Sequence, residues 1–333
     1  MAPMAPMTPI RMPLRTASAV TVTYALGYPI GNLAVHAMTP MAVLAFRFGL
    51  ASMILGVWAA VSRVGFPTGR KLGHVAVTAL LMQAVQFCAL YYAIQKGAPA
   101  VLCAVVIAIN PVATALLAAG FLRDRLHAGR IVALVLGVAA VLAACASRLV
   151  DEHGVDPVVL LLLVALLGLS AGGVYQQRFC ADVDFRASSA VQNAVAFLPA
   201  LALTLTTPFE VHDTTRAAFA VAGVVLLNAT LGLSLYVRAI NLHGASAVAM
   251  LFCVIPAVAG VMSWFMLGER IDVGIGIGLV LGALACWLNA RTSRRRSVTP
   301  AASTRSRSPQ LTAASRPSGP SSRRGPAADC SCP

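Results

Sequence analysis

Long apolar runs, each interrupted by a few polar residues, follow one another along almost the whole chain. Ten can be separated, at about 16–36, 39–62, 72–95, 99–122, 128–147, 157–177, 187–209, 217–237, 244–267 and 271–290. Each holds about 20 residues, the length that crosses roughly 30 Å of hydrocarbon as an α-helix. The pattern predicts an all-α integral membrane protein with ten transmembrane helices. Residues 1–15, rich in Pro and Met, read as a cytoplasmic N-terminal arm rather than a cleaved leader. Residues 291–333, rich in Arg, Ser and Pro, read as a disordered basic tail.

The apolar pattern repeats. Pro256, Glu269-Arg270-Ile271 and glycines 274, 278 and 282 recur 145 residues earlier as Pro111, Asp124-Arg125-Leu126, Gly129, Ala133 and Gly137. The same offset pairs Arg47 with Gln192. A repeat of this period divides the chain into halves at 16–148 and 157–290. Each unit predicts a helix bent where proline removes a backbone hydrogen bond, then a polar turn. A helix follows whose small residues four apart permit close packing. The Gly129/Ala133/Gly137 and Gly274/Gly278/Gly282 faces could pack within one chain or between two copies, which leaves a homodimer open.

Charge sets the orientation. With the N-terminus inside, the inner arm and loops hold Arg11, Arg15, Arg63, Arg70, Lys71, Arg123, Arg125, Arg130, Arg178, Arg186 and Arg238. The outer loops hold only Lys96, Arg148, Arg216 and Arg270, and collect Asp151, Glu152, Asp156, Glu210, Asp213, Glu269 and Asp272. Both termini are therefore expected on the cytoplasmic side of the cell membrane. Five spans per half is an odd number, so the second half enters the lipid from the opposite side. Such an inverted repeat gives a carrier two related states, each open to one face.

Composition agrees with lipid as the solvent. Hydrophobic residues make up 59% and charged residues 11%, against about 25% charged in soluble chains. Of the net charge of +14, nine arginines and one acid in residues 291–333 supply +8. That favours anionic headgroups over nucleic acid as the tail's partner. The eight cysteines show no metal-ligand spacing, and no cofactor is indicated. Neither a GxxxxGK[ST] phosphate loop, an HExxH pair nor a nucleophile elbow occurs, so ATP-driven and hydrolytic chemistry find no support.

Several residues together resemble one family. They are Pro40 followed by Arg47, the proline-bearing fourth spans (Pro111, Pro256) ending in acid-Arg, and the Gly-rich fifth spans. They resemble the drug/metabolite transporter superfamily, in particular its ten-span EamA-type branch. The second copy, Leu267-Gly268-Glu269-Arg270-Ile271, fits best; the first, Leu122-Arg123-Asp124-Arg125-Leu126, lacks the glycine. The resemblance implies two inverted five-helix repeats around a cavity lined mainly by spans 1, 3, 4, 6, 8 and 9. It also implies alternating access for small polar metabolites, amino acids or drugs, with export as the expected direction. The alternatives are an intramembrane enzyme and a non-transporting receptor or scaffold.

Candidate recognition residues are uncharged, because no Asp or Glu lies inside a span to carry a proton relay. Tyr24, Tyr28 and Asn32 share one helix face; Gln83 and Gln86 share another. Asn110 precedes Pro111, and Tyr175, Gln176, Asn228 and Ser234 complete the substrate-binding set. Asp124, Arg125, Glu269, Arg270, Pro111 and Pro256 are assigned to gating or structure. Arg47, the one charge clearly inside a span, is read as a structural lock on backbone carbonyls towards the cytoplasmic side. Direct contact with an anionic substrate is the competing reading, and Gln192 at the equivalent position weighs against it.

Overall fold

The computed structural model describes residues 12–121, 128–144, 156–206, 209–268, 273, 276–284 and 287–288. Nearly all of these are helical: α1 Leu14–Ala37, α2 Pro40–Val61, α3 Gly69–Gln95, α4 Ala100–Ile107 continued by Asn110–Phe121, and α5 Ala128–Ala144. After a gap come α6 Pro157–Phe179, α7 Phe185–Thr206, α8 Thr214–His243 and α9 Ala245–Cys253 continued by Ile255–Leu267. Residues 276–284 are helical again. The helices turn apolar faces outward as well as inward. On α6, Leu160, Val164 and Leu167 are exposed, while Leu162, Leu166, Leu169 and Gly172 are buried on the other face. An apolar exterior of this kind is stable only in hydrocarbon.

Six helices are long and apolar enough to span a membrane, seven if the bent α9 pair is one span. The described residues therefore do not reach the ten expected. α1 has the length, with 24 residues, but its Thr, Ser, Tyr and Asn side chains dilute its apolar character. Much of that polarity, Thr21, Thr23, Tyr24, Tyr28 and Asn32 included, is buried inside the bundle. α5 has 17 described residues, and the last expected span is described only in part.

The 145-residue repeat governs the element boundaries. Pro40 and Phe185 open α2 and α7, and Val61 and Thr206 close them, at that offset. Gly69 and Thr214 open α3 and α8, and Ala100 and Ala245 open α4 and α9, at the same offset. The equivalent helices α2 and α7 lie side by side and run antiparallel. At one end the Thr39 N–H donates to the Glu210 carbonyl at 3.0 Å. Midway the Phe197 ring sits against Gly49, and at the far end the rings of Trp58 and Phe185 are 5.8 Å apart. Corresponding helices of the two halves thus point in opposite directions, the geometry of an inverted repeat.

Packing exchanges partners between halves. α1 lies against α8 and α9, and α6 lies against α3 and α4. Two three-helix bundles result, α1/α8/α9 and α6/α3/α4, with the α2–α7 pair beside them. One end of the molecule carries Arg63, Arg70, Lys71, Arg178, Arg186 and Arg238, where Lys71 pairs with Asp182 across the bundle. There the Arg186 backbone and guanidinium both donate to Asp184. Those bonds, chiefly from the guanidinium, hold the Asp184 carboxyl below its usual range. The opposite end carries Lys96, Asp156, Glu210, Asp213 and Arg216.

Two irregularities also recur at the repeat interval. α3 widens to a π-helical segment at Leu80–Val85, and α8 at Val224–Gly232. α4 breaks after Ile107 and resumes at Asn110-Pro111; α9 breaks at Val254 and resumes at Ile255-Pro256, with a bend of 42°. Proline without an N–H is tolerated in the first turn of the resumed helix and would break an uninterrupted one. Both π segments meet a glycine of the opposite half's first helix. Gly172 of α6 faces Met82, and a Cβ there would lie 2.6 Å from the Met82 Cβ. Gly27 of α1, at the repeat offset from Gly172, faces Asn228 in the same way.

Candidate functional site

Near mid-bundle, both halves contribute to one recess. Tyr24, Gly27 and Tyr28 come from α1, Gln86, Phe87, Leu90, Tyr91 and Ile94 from α3, and Asn228 from α8. These positions follow from helix phase. Residues 24, 27 and 28 share a face of α1, and 87, 90, 91 and 94 share a face of α3 beyond its π segment. The free volume is about 20 Å³, which holds little more than one water. In this conformation the walls are closed on one another.

Towards the basic end the floor is aromatic. Tyr24, Tyr236 and Phe252 form a three-ring cluster with centroids 5.1, 5.5 and 6.0 Å apart. Beside it lies the polar junction at the α4 break. Asn110 Oδ1 accepts from Ser170 Oγ at 2.7 Å and from Thr114 Oγ1 at 2.9 Å. The Asn110 amide nitrogen is buried with no full hydrogen bond, next to the Tyr236 hydroxyl. A second hollow of about 300 Å³ opens at the basic end between α1 and α8, lined by Thr16, Arg238 and His243.

Arg47 borders the recess one ring deep. Arg47 is 1% exposed, and its guanidinium lies 3.4 Å from the Phe87 ring centroid and next to the Tyr91 hydroxyl, with Nε buried and unpartnered. Phe48 is a second ring at 5.3 Å. No carboxylate pairs with it among the described residues. The expectation of a lock on carbonyls near the cytoplasmic side needs correcting twice. The partners are aromatic faces and a phenol. The position is seven residues from Pro40, so Arg47 belongs to the end opposite the basic one.

Of the expected recognition residues, Tyr24, Tyr28, Gln86 and Asn228 meet in the recess. Asn110 lies one layer below, and Ser234 is buried with its hydroxyl unpartnered. Gln83 is buried but does not line the recess with Gln86. The π turn between them alters the helical phase that would have put both on one face. Asn32 is buried nearer the far end of α1. Tyr175 turns to His74, 2.8 Å from its Nδ1, and packs on Phe179 at the basic end. Gln176 joins an amide chain at that same end.

Asp124, Arg125, Glu269, Arg270 and Gly274 lie outside the described residues, and Gly129 and Ala133 are described only as helical. Gly137 faces Ile109, and Gly282 faces Ala140, so these two glycines meet neighbours in their own chain. Gly278 is buried. Tyr91, a phenol of the same span as Gln86, also lines the recess, whereas Gly27, Phe87, Leu90 and Ile94 were not among the expected lining residues. One signal for Gly27 exists in the sequence: it shares the 145 offset with Gly172.

A helical, apolar-surfaced chain of two oppositely directed repeats around a small recess has the build of a multi-pass membrane protein. The chain matches the EamA-like transporter family over residues 14–145 and 156–291, and it belongs to that family. Comparison with curated proteins gave no match. A solved structure, described only as a crystal structure of a protein, superposes with a TM-score of 0.63. That superposition covers 84% of this chain and 99% of the other at 16% identity, a likeness of fold alone.

Proposed function

We propose that the chain is a secondary carrier for a small metabolite or drug-like solute, working by alternating access and exporting its substrate. The two three-helix bundles rock about the central recess. One observation carries the reading: oppositely directed equivalent helices enclose a recess to which both halves contribute side chains. Inverted repeats with binding at their interface are the usual build of such carriers. The paired π segments and helix breaks supply flexible points on both sides of the recess.

The lining suits a solute with an apolar, ring-like or branched body and a few hydrogen-bonding groups. Tyr24, Tyr28, Phe87 and Tyr91 offer π faces, and Gln86 and Asn228 offer amides. The basic end is assigned to the cytoplasm by its excess of Lys and Arg. On that assignment both termini lie on the cytoplasmic side of the cell membrane. Counterflow of labelled metabolites in proteoliposomes tests the reading. A carrier accumulates label against an unlabelled internal pool; uniform failure across a broad amino-acid and metabolite panel contradicts it.

A further inference from the structure

Where α6 and α8 reach the basic end, three amide side chains link in series. Gln192 Nε2 of α7 donates to Gln176 Oε1 of α6 at 3.1 Å. Gln176 Nε2 donates to Asn241 Oδ1 of α8 at 3.0 Å. Asn241 Nδ2 then donates to the Val183 carbonyl, in the turn between α6 and α7, at 3.1 Å. A second link runs beside it. The Ala245 N–H, at the start of α9, donates to Gln177 Oε1 at 2.9 Å.

The location of these bonds gives them meaning. α6 belongs to one three-helix bundle, and α8 and α9 to the other; at this end the bundles also meet where α9 packs on α4 and α6. The Gln176–Asn241 and Gln177–Ala245 bonds therefore cross the seam that must part if the recess is to open towards the basic end. Gly244, between the two links, has φ of +83°, a backbone suited to glycine, and a Cβ there would press on Gln177. The turn is thus shaped to bring the Ala245 N–H onto Gln177. At the repeat-equivalent position of Gln192, in the other half and at the other end, stands Arg47 among aromatic rings. The two ends are closed by different chemistry.

We propose that Gln176, Gln177 and Asn241 form a neutral amide latch that closes the basic end of the transport path. The proposal rests on the carrier reading and moves Gln176 from substrate recognition to gating. Amides suit a latch in lipid, because their bonds are modest and no charge has to be exposed when they part. Opening exchanges them for water entering from the basic face. Breaking both cross-bundle links shifts the balance towards the basic-end-open state by about tenfold, at the strength usual for bonds between membrane helices.

The test uses the full chain without native cysteines, carrying Gln176→Cys and Asn241→Cys, in proteoliposomes. A short bis-methanethiosulfonate bridges the pair, and a reducing agent releases it. The expected result is that bridging reduces counterflow to the level of protein-free vesicles and that reduction restores it. Unchanged counterflow in fully bridged protein overturns the latch and leaves the carrier intact. Absent counterflow in the unsubstituted chain, run in parallel, removes the carrier reading itself, and the latch with it. Asn241→Ala gives a second readout through a cysteine placed at Tyr236. Its labelling from the basic face rises about threefold if the latch holds the seam, one of the two links being lost, and stays unchanged if the amides only pack.

Discussion

At the scale of single residues, the polar side chains fall into three depths, and each depth implies a different response to mutation. Gln86 and Asn228 face the recess, Asn110 supports it from below, and Tyr175 is bound to His74 at the basic end. Gln86→Ala is expected to lower counterflow at least about tenfold with little loss of folded yield. Interhelical bonds in membranes average only about 0.6 kcal/mol, so folding depends weakly on this amide. Asn110→Ala leaves the Ser170 hydroxyl without its cross-helix acceptor, so activity and detergent Tm are both expected to fall. Equal loss of yield and transport in Gln86→Ala would mark that residue as packing. The sequence showed which residue types were out of place in lipid. It did not show their depth, because depth is set by neighbouring helices and by local changes in helical phase. Arg47 illustrates this: one buried charge is visible in the sequence, but its enclosure by Phe87 and Tyr91 depends on how α2 meets α3.

At the scale of elements, the repeat was the most legible feature. The 145 offset found from prolines, charges and glycines also fixes where α2, α3 and α4 have their counterparts α7, α8 and α9. The prolines at 111 and 256 foretold bends, and both fourth helices are interrupted there. The π segments were not foreseen. No composition rule marks a widened turn; it forms here where glycine lets another backbone press in. Gly172 meets Met82 and Gly168 meets the Leu81 carbonyl, with 2.8 Å left for a Cβ at Gly168. Gly172→Ala is therefore expected to destabilise the protein by about 1–3 kcal/mol, as overpacking does in tight cores. The measurement is the thermal transition in detergent. Gly56→Ala serves as control, since a Cβ there meets nothing and the transition should stay in place.

At the scale of the whole molecule, antiparallel equivalent helices, two exchanged bundles and an ionic asymmetry between the ends occur together. Its topology makes a prediction about sides. Cysteines at Glu210 and Lys71 are expected to react with an impermeant reagent from opposite faces of sealed vesicles. Reaction of both from one face would break the link between charge asymmetry and threading.

The most direct measurement concerns the recess itself, closed here to about the volume of one water. A single cysteine is placed at Leu90, in the recess wall, in a background free of native cysteines. Sealed vesicles are then exposed to an impermeant thiol reagent on one face or the other, in separate experiments. Alternating access predicts modification from either face, with transport lost in proportion to labelling. Modification from one face alone, under every gradient and substrate condition tried, would contradict a recess that opens by turns to both sides.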